Sequence, residues 1–154
     1  MPNTKPYVAA ACLCEKVLIE QDGVASLIRI IDTMYLEPQP VDPKSRLPFA
    51  LKFQVFVSVK SGDLEGEYEI GLLLRGPGDE MRSTHRWPVV FAQSPESGAN
   101  LRIDFNLAGK EPGALPALGL YWFDVLWGDE VLTSVPLRLS PATPKTLQES
   151  PNKP

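Results

Sequence analysis

Apolar and polar residues alternate along three segments in the middle of the chain. These segments cover residues 49–60, 67–75 and 101–107, and each has one apolar face and one face carrying charged or amide side chains. A repeat of two residues is that of a β-strand, and burial of a single face is typical of antiparallel sheets. The pattern therefore predicts β-strands here, with short Gly-rich turns between neighbours along the chain.

The segment from Gly119 to Leu139 predicts a further hairpin, and its parity predicts the connection. Trp127 ends the apolar face of the first strand and Val131 begins that of the second. A two-residue turn would place the two apolar faces on opposite sides, whereas a three-residue link puts both inside. We therefore expect an odd-numbered connection. Because Pro136 cannot donate to a ladder, we also expect an edge or a bulge there.

The N-terminal part predicts two more strands, over residues 7–19 and 24–36, although its alternation is poorer. Residues 27–31 break the alternation, which suggests a bulge. A helix over part of residues 15–31 is the alternative, but the Ile and Val content and Gly23 favour strands. The Pro-rich segment 37–48 has the length of a crossover between two sheets.

With one more strand over Met81–Phe91, these segments make about eight strands and no convincing helix. We therefore expect an all-β fold, a two-sheet antiparallel β-sandwich of the immunoglobulin-like or C2-like kind. The 154 residues fit one domain. We expect a flexible leader over residues 1–6, the sandwich over 7–139 and a disordered Pro-rich tail over 140–154.

Composition limits the kinds of partner that the protein binds and the cellular compartment in which we expect it. The net charge is −4, and the basic residues are scattered singly. This excludes the basic stripe that nucleic acid requires. The chain has no apolar run close to the roughly 18 residues of a membrane-spanning helix, and its first apolar run is too short for a signal peptide. We expect a cytoplasmic protein whose Cys12 and Cys14 stay reduced.

Metal-binding and catalytic side chains are few. Cys12 and Cys14 would need further ligands to hold zinc, and His85 is the only histidine. A disulfide between strand residues two apart would be strained, so both cysteines are expected to act as small buried hydrophobes. His85 lacks a nucleophile elbow nearby and is expected to pack partly at the edge of the core. We predict no catalytic residue, no metal and no cofactor.

Charged residues give two weaker candidates for binding. Arg82 and Arg86, with Arg75 nearby, predict a basic corner that an anion or an acidic peptide would contact. The alternative is a solvated strand face balanced by neighbouring carboxylates. Three turns carry paired carboxylates that are candidates for calcium, namely Asp63 with Glu65, Asp79 with Glu80, and Asp129 with Glu130. Turn geometry alone also explains Asp beside Gly.

Phe56 and Trp122 are predicted to point outward from their strands, away from the apolar faces. Exposed aromatic residues on a β-sheet suggest a contact surface. Coverage by a loop or by the Pro-rich crossover is the alternative, and the sequence leaves both open.

Two groups of motifs resemble a bacterial family of small, uncharacterised single-domain β-sandwich proteins. The first is Cys14–Leu18 followed by Leu27–Asp32, and the second is Gly119-x-Tyr-x-Phe-x-Val, then Gly-Asp-Glu and Val135-Pro-Leu-x-Leu139. The resemblance spans residues 7–139, and its motifs are structural. It implies the sandwich fold and a bacterial origin, and it implies no functional site.

Two functions from different classes remain. The leading hypothesis is a non-catalytic protein-interaction or accessory module of the bacterial cytosol, which binds a protein partner or itself through a strand edge or an aromatic patch. Its candidate contact residues are Phe56, Trp122, Arg82, Arg86 and His85. The alternative is a small-ligand or ion-binding sandwich, for calcium or an anion, that uses turn carboxylates or the corner formed by Arg82, His85 and Arg86.

Overall fold

A computed structural model of the chain describes residues 5–38, 42, 44, 51–78, 81–93, 97–107, 109 and 115–142, without the side chains of Met81 and Arg82. These residues form nine strands: β1 (Tyr7–Ile19), β2 (Ala25–Ile31), β3 (Thr33–Leu36), β4 (Leu51–Lys60), β5 (Gly66–Arg75), β6 (Met81–Phe91), β7 (Gly98–Leu107), β8 (Gly119–Trp127) and β9 (Glu130–Pro141). The described ranges contain no α-helix. The all-β prediction is confirmed, and the helix considered for residues 15–31 is wrong.

The strands form two sheets around one core. The first sheet has the order β2-β1-β4-β7, and the second has the order β3-β9-β8-β5-β6. The main cluster of buried side chains draws on both sheets, including Val55 and Val57 from β4 and Leu72 and Phe123 from β5 and β8. The two-sheet sandwich is therefore confirmed, with nine strands in the described residues where about eight were expected.

The segment predicted as one strand over residues 24–36 is two strands in different sheets. The chain passes from the first sheet to the second at Asp32, whose carbonyl accepts a hydrogen bond from the backbone N–H of Arg138 at 2.9 Å. From there β3 runs parallel to β9, with Thr33 opposite Arg138. The expectation of purely antiparallel sheets is wrong here. β3 enters the second sheet from the first, and the direction in which the chain crosses between the sheets makes β3 parallel to β9.

β9 continues two residues past the predicted end of the domain. Ser140 and Pro141 pair with the end of β3, so the predicted tail begins inside a strand. Pro136 lies before the stretch of β9 that β3 covers, and β9 has an unpaired edge there within the described residues, as expected. In the predicted leader, Lys5 forms an ion pair with Glu130. Residues 1–4 and 143–154, the rest of the leader and tail, lie outside the described residues.

The closing hairpin brings both apolar faces inside by means of a bulge. Gly128 and Asp129 form a two-residue turn, and the φ of +58° at Gly128 suits the first position of a type II′ turn. The register then shifts between Leu126 and Val125. The odd-numbered connection is wrong, because the bulge in the ladder supplies the extra residue instead. Inward-facing partners are aligned as predicted, Tyr121 opposite Leu137 and Phe123 opposite Val135.

Arg29 is what breaks the alternation in β2. Its φ of +51° is left-handed, while the register between β1 and β2 runs through it without a shift. The predicted bulge is therefore absent from this ladder. Leu27, on one side of Arg29, packs in a small outer cluster, whereas Ile31, on the other side, packs against the main core. A single left-handed residue thus changes which way the strand faces.

The two sides of the sandwich are built differently. On one side the edge strands β2 and β3 are separated by the single residue Asp32. On the other side lie the edge strands β6 and β7, which pair only with β5 and β4, respectively, among the described residues. Residues 92–97 connect β6 to β7. This second side holds the candidate site.

Candidate functional site

A groove of about 470 Å³ opens between the first half of β6 and the second half of β7. Its lining combines aromatic, aliphatic and polar side chains: Leu74, Ser83, His85, Trp87, Ile103, Asp104, Phe105, Asn106 and Leu107. Since β6 and β7 are the edges of opposite sheets, the groove lies where the sandwich opens.

His85 lines the groove because of the register of β6. It pairs with Leu72, a core residue, and therefore faces the space between the sheets, as the sequence predicted. Its ring centroid lies 5.8 Å from that of Trp87 and 6.3 Å from that of Phe105, which it meets edge-on. Phe105 in turn packs edge-on against Phe123 at 5.0 Å. The aromatic floor of the groove therefore rests on the core.

The polar side chains of the groove differ in whether they already form hydrogen bonds within the protein. Asp104 accepts a hydrogen bond from Nε2 of Gln54 at 2.6 Å, and Oε1 of Gln54 accepts the backbone N–H of Val17 at 2.6 Å. These bonds hold Asp104 from the side of the neighbouring strand. His85 makes no hydrogen bond to any other described residue, and it is exposed. Its imidazole can therefore both donate and accept hydrogen bonds with a ligand.

Phe56, predicted to be an exposed contact residue, faces outward but is only 6% exposed. It packs with Cys14 and Val17 in the small outer cluster, next to Leu27. The sequence did not reveal this cover, because Cys14 and Val17 lie three residues apart on β1 and share a face only where the strand's alternation breaks. Phe56 is therefore corrected to a buried residue, outside any exposed aromatic patch.

Trp122 lies in the other sheet, so the structure does not bring it together with Phe56. It is half-buried and pairs with Arg75 across β8 and β5. The guanidinium carbon of Arg75 lies 6.0 Å from the centroid of the Trp122 ring, which is a cation–π distance.

Arg75, Asp124, Ser134 and Trp122 form a constellation that sequence reasoning missed, which we call the Asp124 network. Nε and Nη2 of Arg75 donate to the Asp124 carboxylate at 2.6 and 3.1 Å, and Oγ of Ser134 donates to it at 2.6 Å. Burial alone would raise the pKa of Asp124, but the hydrogen bonds from Arg75 and Ser134 and the charge of Arg75 lower it below its usual value. Only the register could have indicated this, because Arg75 lies far from Asp124 in sequence.

The predicted basic corner is dispersed. Arg75 is engaged by Asp124, so it does not join the other two arginines. Arg86 is exposed on the outer face of β6, opposite Gly71. A register shift between Leu74 and Arg75 leaves Arg82 without a partner position, and its side chain lies outside the described atoms.

The remaining candidates give no site. No three His, Cys, Asp or Glu side chains come together as a metal site in the part of the chain that the structure describes. Asp79 and Glu80 lie outside that part. Cys12 and Cys14 are free thiols, half-buried and buried, and burial raises the pKa of both. Cys14 is buried as predicted, whereas Cys12 is only half-buried and packs against the small outer cluster. Over the described ranges, no helix is long and apolar enough to cross a membrane.

Comparison with known proteins identifies no relative. No family model matches the chain, and no curated protein matches it. This agrees with the resemblance to an uncharacterised family and adds nothing positive to it. Among solved structures, a β-glucosidase from Listeria innocua in complex with glucose matches at 13% identity and a TM-score of 0.42. The same enzyme with isofagomine matches at 16% and 0.38. Both alignments cover 58% of this chain and 14% of the enzyme, and a likeness this weak says nothing about the role of this chain.

Proposed function

We propose that this protein is a non-catalytic interaction module that binds an extended segment of a protein partner between β6 and β7. The observation that carries the proposal is the pairing pattern, because the edges of both sheets on this side are unpaired among the described residues and border one groove. An edge strand presents a row of backbone donors and acceptors, and an added strand satisfies them.

The spacing of a sandwich suits one added strand. Facing sheets lie about 10 Å apart and neighbouring strands about 4.8 Å apart, so a strand between two facing edges reaches both. Alternate side chains of that strand would enter the groove, against Trp87 and Phe105. Hydrogen bonds with His85 would then select among the entering side chains.

The finer class of the sandwich is also a proposal, and we propose that it is immunoglobulin-like rather than C2-like. The second sheet carries the last two strands side by side, and Tyr121 lies near the start of β8. Its hydroxyl donates to the backbone carbonyl of Ala117 at 2.7 Å. A tyrosine near the start of the penultimate strand that bonds a few residues upstream is a hallmark of immunoglobulin-like sandwiches. We further propose that the module acts in the bacterial cytosol, where its two free thiols stay reduced.

A selection from displayed random twelve-residue peptides tests the proposed function. Enriched peptides should bind the wild type, and hydrogen exchange should show that bound peptide protects the edge amides of β6 and β7. Ser83→Tyr, which fills the groove, and His85→Ser should both weaken binding. Tyr35→Ser, at an exposed aromatic on β3, is the matched control and should bind as the wild type does.

The same experiment addresses the alternative of a small-ligand or ion site in the groove. Peptides that fail to enrich, together with calorimetric binding of calcium or a simple anion that Ser83→Tyr abolishes, would replace the interaction module with that alternative. Enriched peptides that bind Ser83→Tyr and His85→Ser like the wild type would also reject the proposal.

A further inference from the structure

We infer that the partner segment carries acidic side chains on its solvent-facing side, opposite the apolar side chains that enter the groove. This inference rests on the proposed function and names the chemistry of its partner. It comes from the charges of the two strands that border the groove.

The two edge strands differ in charge from the rest of the chain. β6 contains Arg82 and Arg86 and no acidic residue, and β7 contains Arg102 with Asp104 as its single acid. The chain as a whole carries a net charge of −4. Positive charge is thus concentrated on the side of the sandwich where the edge strands β6 and β7 border the groove.

The placement of the arginines makes them available to a partner. Arg86 is exposed opposite Gly71, which offers no side chain across the ladder. Arg102 is exposed opposite Phe56, whose ring is buried. In the described part of the chain, no ion pair joins either arginine to a carboxylate. Both are therefore cations without a counterion at the rim.

The neighbouring acids Asp104 and Glu69 form no ion pair with these arginines. Asp104 is held by the amide of Gln54. Glu69 lies on β5 opposite Pro88 rather than Arg86, and no ion pair links it to Arg86. Arg86 and Arg102 are therefore left without an ion-pair partner among the described residues.

The geometry of an added strand determines which of the partner's side chains lie beside Arg86 and Arg102. In a strand added between β6 and β7, side chains alternate between the groove and the outer face. The outward residues would lie beside Arg86 on one side and Arg102 on the other. Opposite charges on neighbouring strands attract and like charges repel, so outward Asp or Glu is favoured over Lys or Arg.

The same charges argue against a second copy of this chain as the occupant. A second β6 added to this edge would bring its own Arg86 near that of the first, and its strand has no acid to offset the charge. A partner that alternates apolar and acidic residues fits both the groove and its rim.

Measurements on the selected peptides and their charge-matched variants test this inference. The enriched sequences should alternate apolar residues with Asp or Glu. Each exposed ion pair is worth about a 1.4- to fivefold change in affinity. Arg86→Gln with Arg102→Gln should therefore weaken binding about two- to twentyfivefold and flatten its salt dependence. Arg138→Gln, at an exposed arginine on β9 far from the groove, is the control and should bind as the wild type does.

The outcomes separate the inference from the proposed function. Enriched peptides without acids would overturn the acidic pattern and leave the interaction module standing. So would unchanged affinity in Arg86→Gln/Arg102→Gln while Ser83→Tyr still weakens binding. Acidic peptides that bind Ser83→Tyr as well as the wild type would overturn both, because attraction would then be independent of the groove.

Discussion

The Asp124 network and the groove between β6 and β7 combine similar side chains, yet these side chains have opposite roles in the two regions. Each brings together a tryptophan, a carboxylate, a serine and a basic group. In the network, the Asp124 carboxylate is 4% exposed and accepts three hydrogen bonds. In the groove, His85 is exposed and bonds to no other described residue. Residue types alone did not separate the two regions.

The two regions differ in how many hydrogen bonds their polar groups already make within the protein. A buried carboxylate whose two oxygens are both hydrogen-bonded within the sheet stabilises the sheet that carries it. An exposed imidazole above an aromatic floor has its hydrogen bonds left for a ligand. The comparison predicts that changes in the network lower stability without affecting binding, and that changes in the groove do the reverse.

The largest effect is expected from Arg75→Met, which leaves the Asp124 carboxylate buried without its counterion. Breaking a fully buried pair in this way costs about 3–5 kcal/mol. Because Arg75 is 29% exposed, we expect a loss of about 2–3 kcal/mol in the free energy of unfolding, measured in urea. Arg86→Met is the matched control and should stay within about 0.5 kcal/mol. Equal losses of unfolding free energy in Arg75→Met and Arg86→Met would show that the buried ion pair adds no stability beyond that of an exposed arginine.

The pH dependence of stability should follow the same carboxylate. Its folded pKa is lowered, so Asp124 contributes stability above its unfolded pKa of about 3.9, and this contribution is lost as the pH falls through the folded pKa. The difference in unfolding free energy between the wild type and Asp124→Asn should therefore shrink below about pH 5. A difference that stays constant down to pH 3 would contradict the lowered pKa.

Two serines allow a matched comparison of the regions. Ser134→Ala removes a hydrogen bond to a buried charge, and we expect a loss of about 1–2 kcal/mol. Ser83→Ala, in the groove, should change stability by less than about 0.5 kcal/mol. Thermal unfolding of the two variants side by side measures this contrast, and a reversed order would show that the groove is the structural element.

A small effect on stability, combined with weaker peptide binding, is expected from His85→Ser. The ring is exposed, so the free energy of unfolding should change by no more than about 0.5–1 kcal/mol. Peptide affinity should nevertheless fall, because the hydrogen bonds of the imidazole are lost. Fluorescence anisotropy with a selected peptide measures the affinity, and an unfolding curve on the same sample is the control. Lost stability with unchanged affinity would place His85 among the structural residues.

Sequence reasoning succeeded where the information is local. Alternation predicted most of the strands and the inward direction of His85, since both follow from a period of two residues. It could not predict that Phe56 is covered, because the cover comes from Cys14 and Val17 in another strand. Trp122 and Arg75 lie 47 positions apart and meet only through the register of β5 and β8. Parity also assumed unbroken ladders, and a bulge in the closing hairpin invalidated that assumption.

The parallel pairing of β3 with β9 has a consequence for synthesis. Thr33 joins Arg138, about 100 residues later in the chain. Ribosomes add about 5–20 residues per second, so β3 waits about 5–20 s for the strand that completes its sheet. Until then its backbone and the exposed ring of Tyr35 are an open edge on a nascent chain. The four residues of β3 keep that edge short, which limits its capacity to recruit a wrong neighbour before β9 emerges.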